Sequence, residues 1–392
     1  MDGPQAWSIS TMSCDLFIFA GEASADLLGA ELLKALKEQG ADLKMIGVGG
    51  PKMRAEGFSC IAQMEEFRVM GFVDVFLALP KLIRQFFSIR KAILKINPKM
   101  VLFIDYPGFN LRMSRALRKK GFTGKLCHFV CPSVWAWGKG RIKTMEKTLD
   151  LLLTILPFEA RYFSNTSLQV KYVGHPLVQR IREHLSSKAL SFPSRRLISI
   201  FPGSRKKEIL RNFPLYLRVA KRLLSDSPEL IFGISLSHPS FAPLLKELTE
   251  KEGLTWEKEI VLIPPQETYA LMRGSEVAIA KSGTVTLELA LHGIPTVVTY
   301  AISPLDILIV KWILRIRLPF WCLPNIIQEQ EVFPELIGPI FTEENLYKHV
   351  NQLLNDPKAR ESCREKCLAV ATSLGEKESL KEATKLVKEF VT

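Results

Sequence analysis

The sequence has no uninterrupted apolar run of membrane-spanning length. Its closest approach, Leu305 to Leu323, is broken by Lys311, Arg315 and Arg317, whereas a spanning helix needs about 20 predominantly apolar residues. The chain therefore reads as not integral to a membrane. Residues 1–13 lack the basic start and apolar stretch of a signal peptide and read as a loose extension. The cysteines number seven, an odd count with no CxxC spacing, the pattern of reduced cytoplasmic thiols. Cys127, His128 and Cys131 fall in an apolar strand pattern without a second ligand pair, and Cys363 and Cys367 share a helix face in a charged segment. Both sets read as structural, so no metal site is expected. The chain also lacks an Asp-x-Asp pair, a GxxxxGK[ST] loop and a GxSxG elbow. These absences argue against metal-dependent sugar transfer, P-loop chemistry and the α/β-hydrolase mechanism. Fixed-period repeats and low-complexity tracts are missing too.

What is present is globular. With 392 residues and 47% hydrophobic content, the chain exceeds one ordinary core, and two domains are the default. A formal net charge of +13 favours anionic partners: nucleic acid, an acidic membrane surface or phosphorylated substrates. Strand-like and helix-like patterns alternate, which predicts α/β layers with parallel sheets. The first strand is expected at Asp15–Ala20 and the first helix at Asp26–Gln39, with further strands near 44–48, 100–105, 126–131, 151–156 and 170–173. A polar stretch over 186–194 reads as a linker. The alternation restarts at Leu197, with strands near 230–235, 260–263, 277–280 and 296–300, and becomes helical from Thr342. The expected organisation is two Rossmann-like doubly wound domains, 13–185 and 195–340, facing a cleft. Helices over 341–392 either return to the first domain or reach a partner chain. In such folds ligands bind just after the strands.

Two short loops carry the sharpest signal. Pro202-Gly203-Ser204-Arg205 follows the strand pattern Leu197–Phe201, and Ser282-Gly283-Thr284 follows Val277–Ala280; each opens a helical pattern. Glycine permits close approach, and the first N–H groups of a helix lack internal partners and favour an anion. Arg205 adds a rigid fork of donors suited to a diphosphate. Glu288 lies four residues after Thr284 on the same helix face. It either balances the helix dipole or accepts two ribose hydroxyls. A nucleotide is the first reading of this pair.

In the first half, Glu22 and Ser24 follow the first strand, either as turn and cap or facing a sugar. Asp105 ends the apolar run Met100–Ile104. A carboxylate there is costly unless bonded or used. It could cap a turn, but desolvation would raise its pKa and suit a general base. Trp135 and Trp137, in Pro132–Arg141, read as core or as a wall beside an anion site formed with Lys139 and Arg141. Phe72, Phe76, Leu79, Leu82, Ile83, Phe86 and Phe87 recur among Lys81, Arg84, Arg90 and Lys91. That pattern fits a core-facing helix or an interfacial one on an anionic membrane, and 306–317 has the same character.

Gly21-Glu22-Ala23-Ser24, Val48-Gly49-Gly50-Pro51-Lys52-Met53, Val69–Val75, Asp105-Tyr106-Pro107 with Phe109-Asn110, Pro132–Trp137, Leu156-Pro157-Phe158-Glu159, the two loops, Glu288 and Leu323-Pro324-Asn325 occur together and in order. In this series the chain resembles the lipid-A-disaccharide synthase family from Asp15 to about residue 340, and the Pro-Ser-Val-Trp-Ala-Trp block is highly specific. The resemblance implies a two-domain GT-B fold, with an acceptor and lipid domain followed by a UDP-sugar domain. It also implies inverting, metal-independent transfer of diacylglucosamine from UDP to diacylglucosamine 1-phosphate, giving a β-1,6-linked disaccharide and UDP. No cofactor is expected, since the UDP-sugar is a substrate. Asp105 matches the family's base, with Glu22 a second candidate. Ser24, Asn110, Ser133, Trp135, Arg205, Ser282, Gly283, Thr284, Glu288 and Asn325 are carried over as substrate contacts, and Phe72–Phe87 as the membrane-facing segment. The implied setting is peripheral, at the cytoplasmic face of an inner membrane, with no nucleic acid; a homodimer is left open. Ala25, Gly108, Lys281 and Gly138-Lys139-Gly140 depart from the family pattern. Two rivals remain at this stage: a GT-B-fold UDP-sugar epimerase, which needs no lipid-facing surface, and a basic RNA- or membrane-binding protein, for which no RRM or KH signature is present.

Overall fold

A computed structural model describes residues 14–67, 72–136, 138–184, 188–302 and 318–391, with the stretch 72–79 as backbone only. The chain divides into two compact units. One comprises residues up to Pro176 together with Lys377 onward; the other runs from Leu177 to Glu376.

The first unit is built on a seven-stranded parallel sheet in the order β3-β2-β1-β4-β5-β6-β7. Its strands are β1 Leu16–Ala20, β2 Met45–Gly49, β3 Ser59–Gln63, β4 Met100–Ile104, β5 Lys125–Phe129, β6 Leu151–Thr154 and β7 Gln169–Tyr172. The central strands are continuous apolar runs because both faces are covered. Alternation then sorts their side chains: Phe17, Phe19, Val101 and Phe103 enter one core, while Leu16, Ile18, Leu102 and Ile104 enter the other. Helix Ala23–Glu38 lines the second core with Leu28, Leu32, Leu33 and Leu36. The last helix, Ser379–Val391, joins it there through Ala383, Val387 and Val391. Gln39 Nε2 donates to Thr384 Oγ1 at 2.6 Å, tying the chain's end to its first helix.

The second unit carries a six-stranded parallel sheet in the order β10-β9-β8-β11-β12-β13. These strands are β8 Arg196–Phe201, β9 Leu230–Ser235, β10 Ile260–Ile263, β11 Val277–Lys281, β12 Thr296–Tyr300 and β13 Glu335–Ile337. The two doubly wound sheets and the helical C-terminus agree with the architecture predicted from the alternation. In each sheet the chain reverses its direction of winding at one place: between β1 and β4 in the first unit and between β8 and β11 in the second. The crevice beyond the strand carboxyl ends at such a switch point is where doubly wound sheets bind ligands.

Candidate functional site

At the switch point of the first unit, Asp105 follows β4 and Gly21–Glu22 follow β1. Asp105 and Tyr106 both adopt left-handed backbone conformations, with φ of 50° and 46°. For residues with a Cβ each such conformation costs roughly 1–3 kcal/mol and persists only where the surroundings hold it. Here Asp105 N–H donates to Phe129 O at 2.9 Å, and Asn110 Nδ2 donates to Asp105 O at 2.5 Å. Burial pushes the Asp105 carboxyl above its usual range, against the opposing N–H of Tyr106. The Tyr106 ring fills the space a side chain at position 21 would take: a Cβ on Gly21 would lie 2.8 Å from its Cδ1. Burial and then the charge of Glu22 raise the Tyr106 phenol, so Glu22 belongs to the same corner.

Helix Ala23–Glu38 begins earlier than the periodicity indicated, with Glu22 rather than Ser24 at its cap position. Ser24 stands exposed in the first turn. Asp26 is buried, and its carboxylate accepts from the N–H groups of Gly50 at 2.8 Å, Lys52 at 3.0 Å and Met53 at 3.0 Å. The Val48–Met53 motif is thus locked to the first helix, and a Cβ on Gly50 would strike Asp26 Oδ2 at 2.5 Å.

Beyond β5, Val130 is another left-handed residue, with φ 75°. Buried His128 places Nδ1 3.0 Å from Val130 O, an arrangement in which the ring donates and the carbonyl accepts. Burial holds this imidazole neutral, down to about 4. Cys131 Sγ donates to Pro132 O at 3.3 Å, and burial pushes the Cys127 and Cys131 thiols up. Among the described residues no group of three or more His, Cys, Asp or Glu side chains is gathered for a metal. Ser133 is half-buried, and Trp135 stands edge-on to Phe158 with ring centroids 5.8 Å apart. Trp137 and 69–71 lie outside the described residues, as does 303–317.

Of the long helix Phe72–Ile96, side chains are described from Pro80 onward; those of Phe72, Phe76 and Leu79 lie outside that range. Leu82 and Phe86 turn inward and pack on the first unit's core. Ile83 and Phe87 are exposed at 47% and 50%, with Arg90 over the Phe87 ring at 4.8 Å.

The second unit's switch point holds both loops. Register pairs Phe201 of β8 with Ala280 of β11, so Pro202–Arg205 and Ser282–Thr284 emerge side by side. Helices Lys206–Asp226 and Thr284–Leu291 start there, with Arg205 and Gly283 at their cap positions. Arg205 is 82% exposed. Gly203 has φ 119°, which demands glycine. Gly283 is different: its φ of 171° is extended backbone, and the nearest heavy atom a Cβ would meet is Lys281 O at 3.9 Å. The fold does not require glycine at 283, whereas close approach of a ligand would. Ser282 N–H donates to Thr299 O at 2.8 Å.

Glu288 is half-buried and accepts from Tyr269 OH at 3.2 Å. Burial raises its carboxyl, against the Tyr269 hydrogen bond and the Arg180 charge. His292, ring to ring with Tyr269 at 5.2 Å, completes this corner. The sequence showed no sign of Tyr269 or Arg180, since neither is at helical spacing from Glu288. Asn325 is fully buried. Its Oδ1 accepts from the N–H groups of Val332 and Phe333 at 2.9 Å each, and its Nδ2 donates to Phe333 O at 2.8 Å. This side chain braces the turn before β13 with three hydrogen bonds.

The profile of the family described as Lipid-A-disaccharide synthetase matches residues 16–390. A lipid-A-disaccharide synthase of Chlamydia abortus is 42% identical over 359 residues, 90% of this chain and 56% of the relative. That of Geobacter sulfurreducens is 34% identical over 370 residues, covering 92% and 93% of the two chains. The chain thus spans little more than half the length of the chlamydial relative. The fold is similar to that of the S. aureus MnaA–UDP co-structure, with a TM-score of 0.64 at 16% identity over 94% of both chains. It is also similar to the glycotransferase of kitacinnamycin, with a TM-score of 0.62 at 12% identity over 97% of this chain and 100% of that one.

Proposed function

The chain belongs to the lipid-A-disaccharide synthetase family, and on that premise we propose that it is an inverting glycosyltransferase of lipid A biosynthesis. It joins UDP-2,3-diacylglucosamine to 2,3-diacylglucosamine 1-phosphate, forming the β-1,6-linked disaccharide 1-phosphate and UDP. One observation supports this reading: the switch point of each sheet gathers groups suited to a different half of the chemistry. The first has a desolvated carboxylate on a strained strand end. The second has two adjacent anion-directed loops beside a half-buried carboxylate.

Asp105 takes the proton of the acceptor 6-hydroxyl, whose oxygen attacks the anomeric carbon as the bond to UDP breaks and UDP leaves with the electron pair. Its raised pKa brings it closer to the working pH of a base. Glu22 stands as the alternative base. Arg205 and the loop Ser282–Thr284 take the charge growing on the diphosphate, and Glu288 accepts the ribose hydroxyls. Transfer proceeds without a metal, and turnover that survives a chelator checks this. The exposed Ile83 and Phe87, among Lys81, Arg84 and Lys91, rest on an anionic membrane surface, at the cytoplasmic face of an inner membrane.

The test is to incubate the protein with both substrates and follow UDP and disaccharide. UDP release that depends on acceptor supports transfer; interconversion of the donor sugar alone would establish an epimerase instead. Asp105→Asn is expected to bind UDP normally and to lose most turnover. Near-normal turnover in that variant would remove Asp105 as the base.

A further inference from the structure

The surroundings of Lys281 set it apart from the other lysines of the second unit. It ends β11, immediately before Ser282-Gly283-Thr284. Its Nζ lies 3.1 Å from Glu208 Oε1 and 4.9 Å from the centroid of the Tyr300 ring. Glu208 belongs to the first turn of the helix that follows the other loop. Its second oxygen accepts from Ser204 N–H at 3.1 Å, and Arg205 Nη1 stands 3.8 Å from Oε1. The Lys281 and Glu208 side chains are only 16% and 17% exposed. A Cβ at position 203 would lie 2.8 Å from Glu208 Oε2, so the carboxylate is tucked against the loop itself.

One carboxylate thus serves two cations and a main-chain N–H and joins the two loops. The count leaves positive charge in excess at the point where the loops meet. A semi-buried ammonium held by a ring face and a carboxylate loses little conformational freedom on meeting an anion, unlike an ordinary surface lysine.

We propose that Lys281 is a further ligand for the diphosphate of the nucleotide and that Glu208 is the counter-charge the ammonium exchanges for it at the junction of the two loops. The inference rests on the UDP reading above and adds a charge to the two loops that hold the diphosphate. Glu208 also competes with the diphosphate for Lys281 and for Ser204 N–H, so its charge tempers nucleotide affinity.

The experiment compares UDP with uridine by calorimetry on the full chain, since only UDP carries the phosphates. Lys281→Met should weaken UDP at least about tenfold, the loss expected for a hydrogen bond to a charged group, and leave uridine unchanged. Lys281→Arg should restore most of the affinity. Glu208→Gln keeps an acceptor for Ser204 N–H but removes the competing charge, so UDP should tighten by roughly two- to tenfold with uridine again unchanged. The double variant Lys281→Met/Glu208→Gln leaves no unpaired buried charge and should fold while still binding UDP more weakly than the unaltered protein. Equal losses for UDP and uridine, or unchanged UDP binding in the folded Lys281→Met variant, would overturn the proposal alone. Failure of the unaltered protein to bind UDP would overturn the nucleotide reading and this inference together.

Discussion

Asn110 holds Asp105 from behind: its Nδ2 donates to the Asp105 main-chain oxygen at 2.5 Å, while its own Oδ1 is buried without a hydrogen-bond partner. This bond ties down the left-handed turn from which the Asp105 carboxylate projects. Asn110→Ala should release the strained backbone and let Asp105 and Tyr106 relax. The expected cost is about 1–2 kcal/mol of stability for the lost bond. Turnover should fall roughly ten- to a hundredfold, because a catalytic group displaced by an ångström loses that much. UDP affinity, proposed to reside in the other unit, should not change. Measuring kcat beside a UDP titration separates these effects, and unchanged kcat would make Asn110 a packing residue only.

Two glycines in the second unit offer a contrast. Gly203→Ala must place a Cβ at φ 119° and within 2.8 Å of Glu208 Oε2, so it should destabilise the fold by roughly 1–3 kcal/mol. Gly283→Ala meets neither obstacle, since its backbone is extended and its surroundings are open to 3.9 Å. It should leave the melting temperature in place yet weaken UDP roughly tenfold or more, because the methyl group occupies the space of an approaching ligand. Unaltered UDP binding in a folded Gly283→Ala would place the nucleotide elsewhere.

The pattern of what the sequence disclosed follows from burial. Central strands such as Leu16–Ala20 and Met100–Ile104 are covered on both faces and read as plain apolar runs. The edge strands β3 and β13 escaped notice, because one is half-exposed with only three apolar residues between Ser59 and Gln63 and the other is only three residues long. Asp105, Arg205 and Glu288 were legible as charges placed just after strands or at a helix start. Their partners were not: Tyr269 reaches Glu288 from another helix, and Glu208 reaches Lys281 across the sheet. Asp26 showed only as the expected start of the first helix, yet its carboxylate anchors a glycine-rich turn far along the chain. Asn325 was legible as a motif residue, but spacing could not reveal that its amide braces a neighbouring turn.

The apolar residues of the long helix divide into two roles, which gives a test of membrane contact. Leu82 and Phe86 pack inward, while Ile83 and Phe87 are exposed beside basic residues. Ile83→Ser with Phe87→Ser should therefore leave stability within about 0.5 kcal/mol, as for ordinary surface changes. Sedimentation with vesicles containing anionic lipid should fall several-fold, and high salt should weaken what remains. Equal sedimentation of the double variant would assign the exposed pair to some other partner.

Glu159 sets a pH dependence that can be worked out by sign. It is 2% exposed, and burial pushes its carboxyl from an ordinary 4.5 up to about 8, against the N–H of Leu156. Between those values the folded chain keeps a proton that the unfolded chain has released, so raising the pH favours unfolding. Below the lower value both states are protonated and no penalty exists; above the upper value both are ionised and the penalty is constant. Stability should thus decline from about pH 4.5 to about pH 8 by roughly a few kcal/mol and then level. Glu159→Gln removes the ionisation while keeping an acceptor for Leu156 N–H. Its urea midpoint should match the unaltered protein near pH 4.5 and exceed it increasingly toward pH 8. Tyr172, pushed up to about 12 by burial and then by the Glu159 charge, should titrate at lower pH in the variant. A stability difference that does not change with pH would mean that Glu159 is ionised throughout, with its charge satisfied in place.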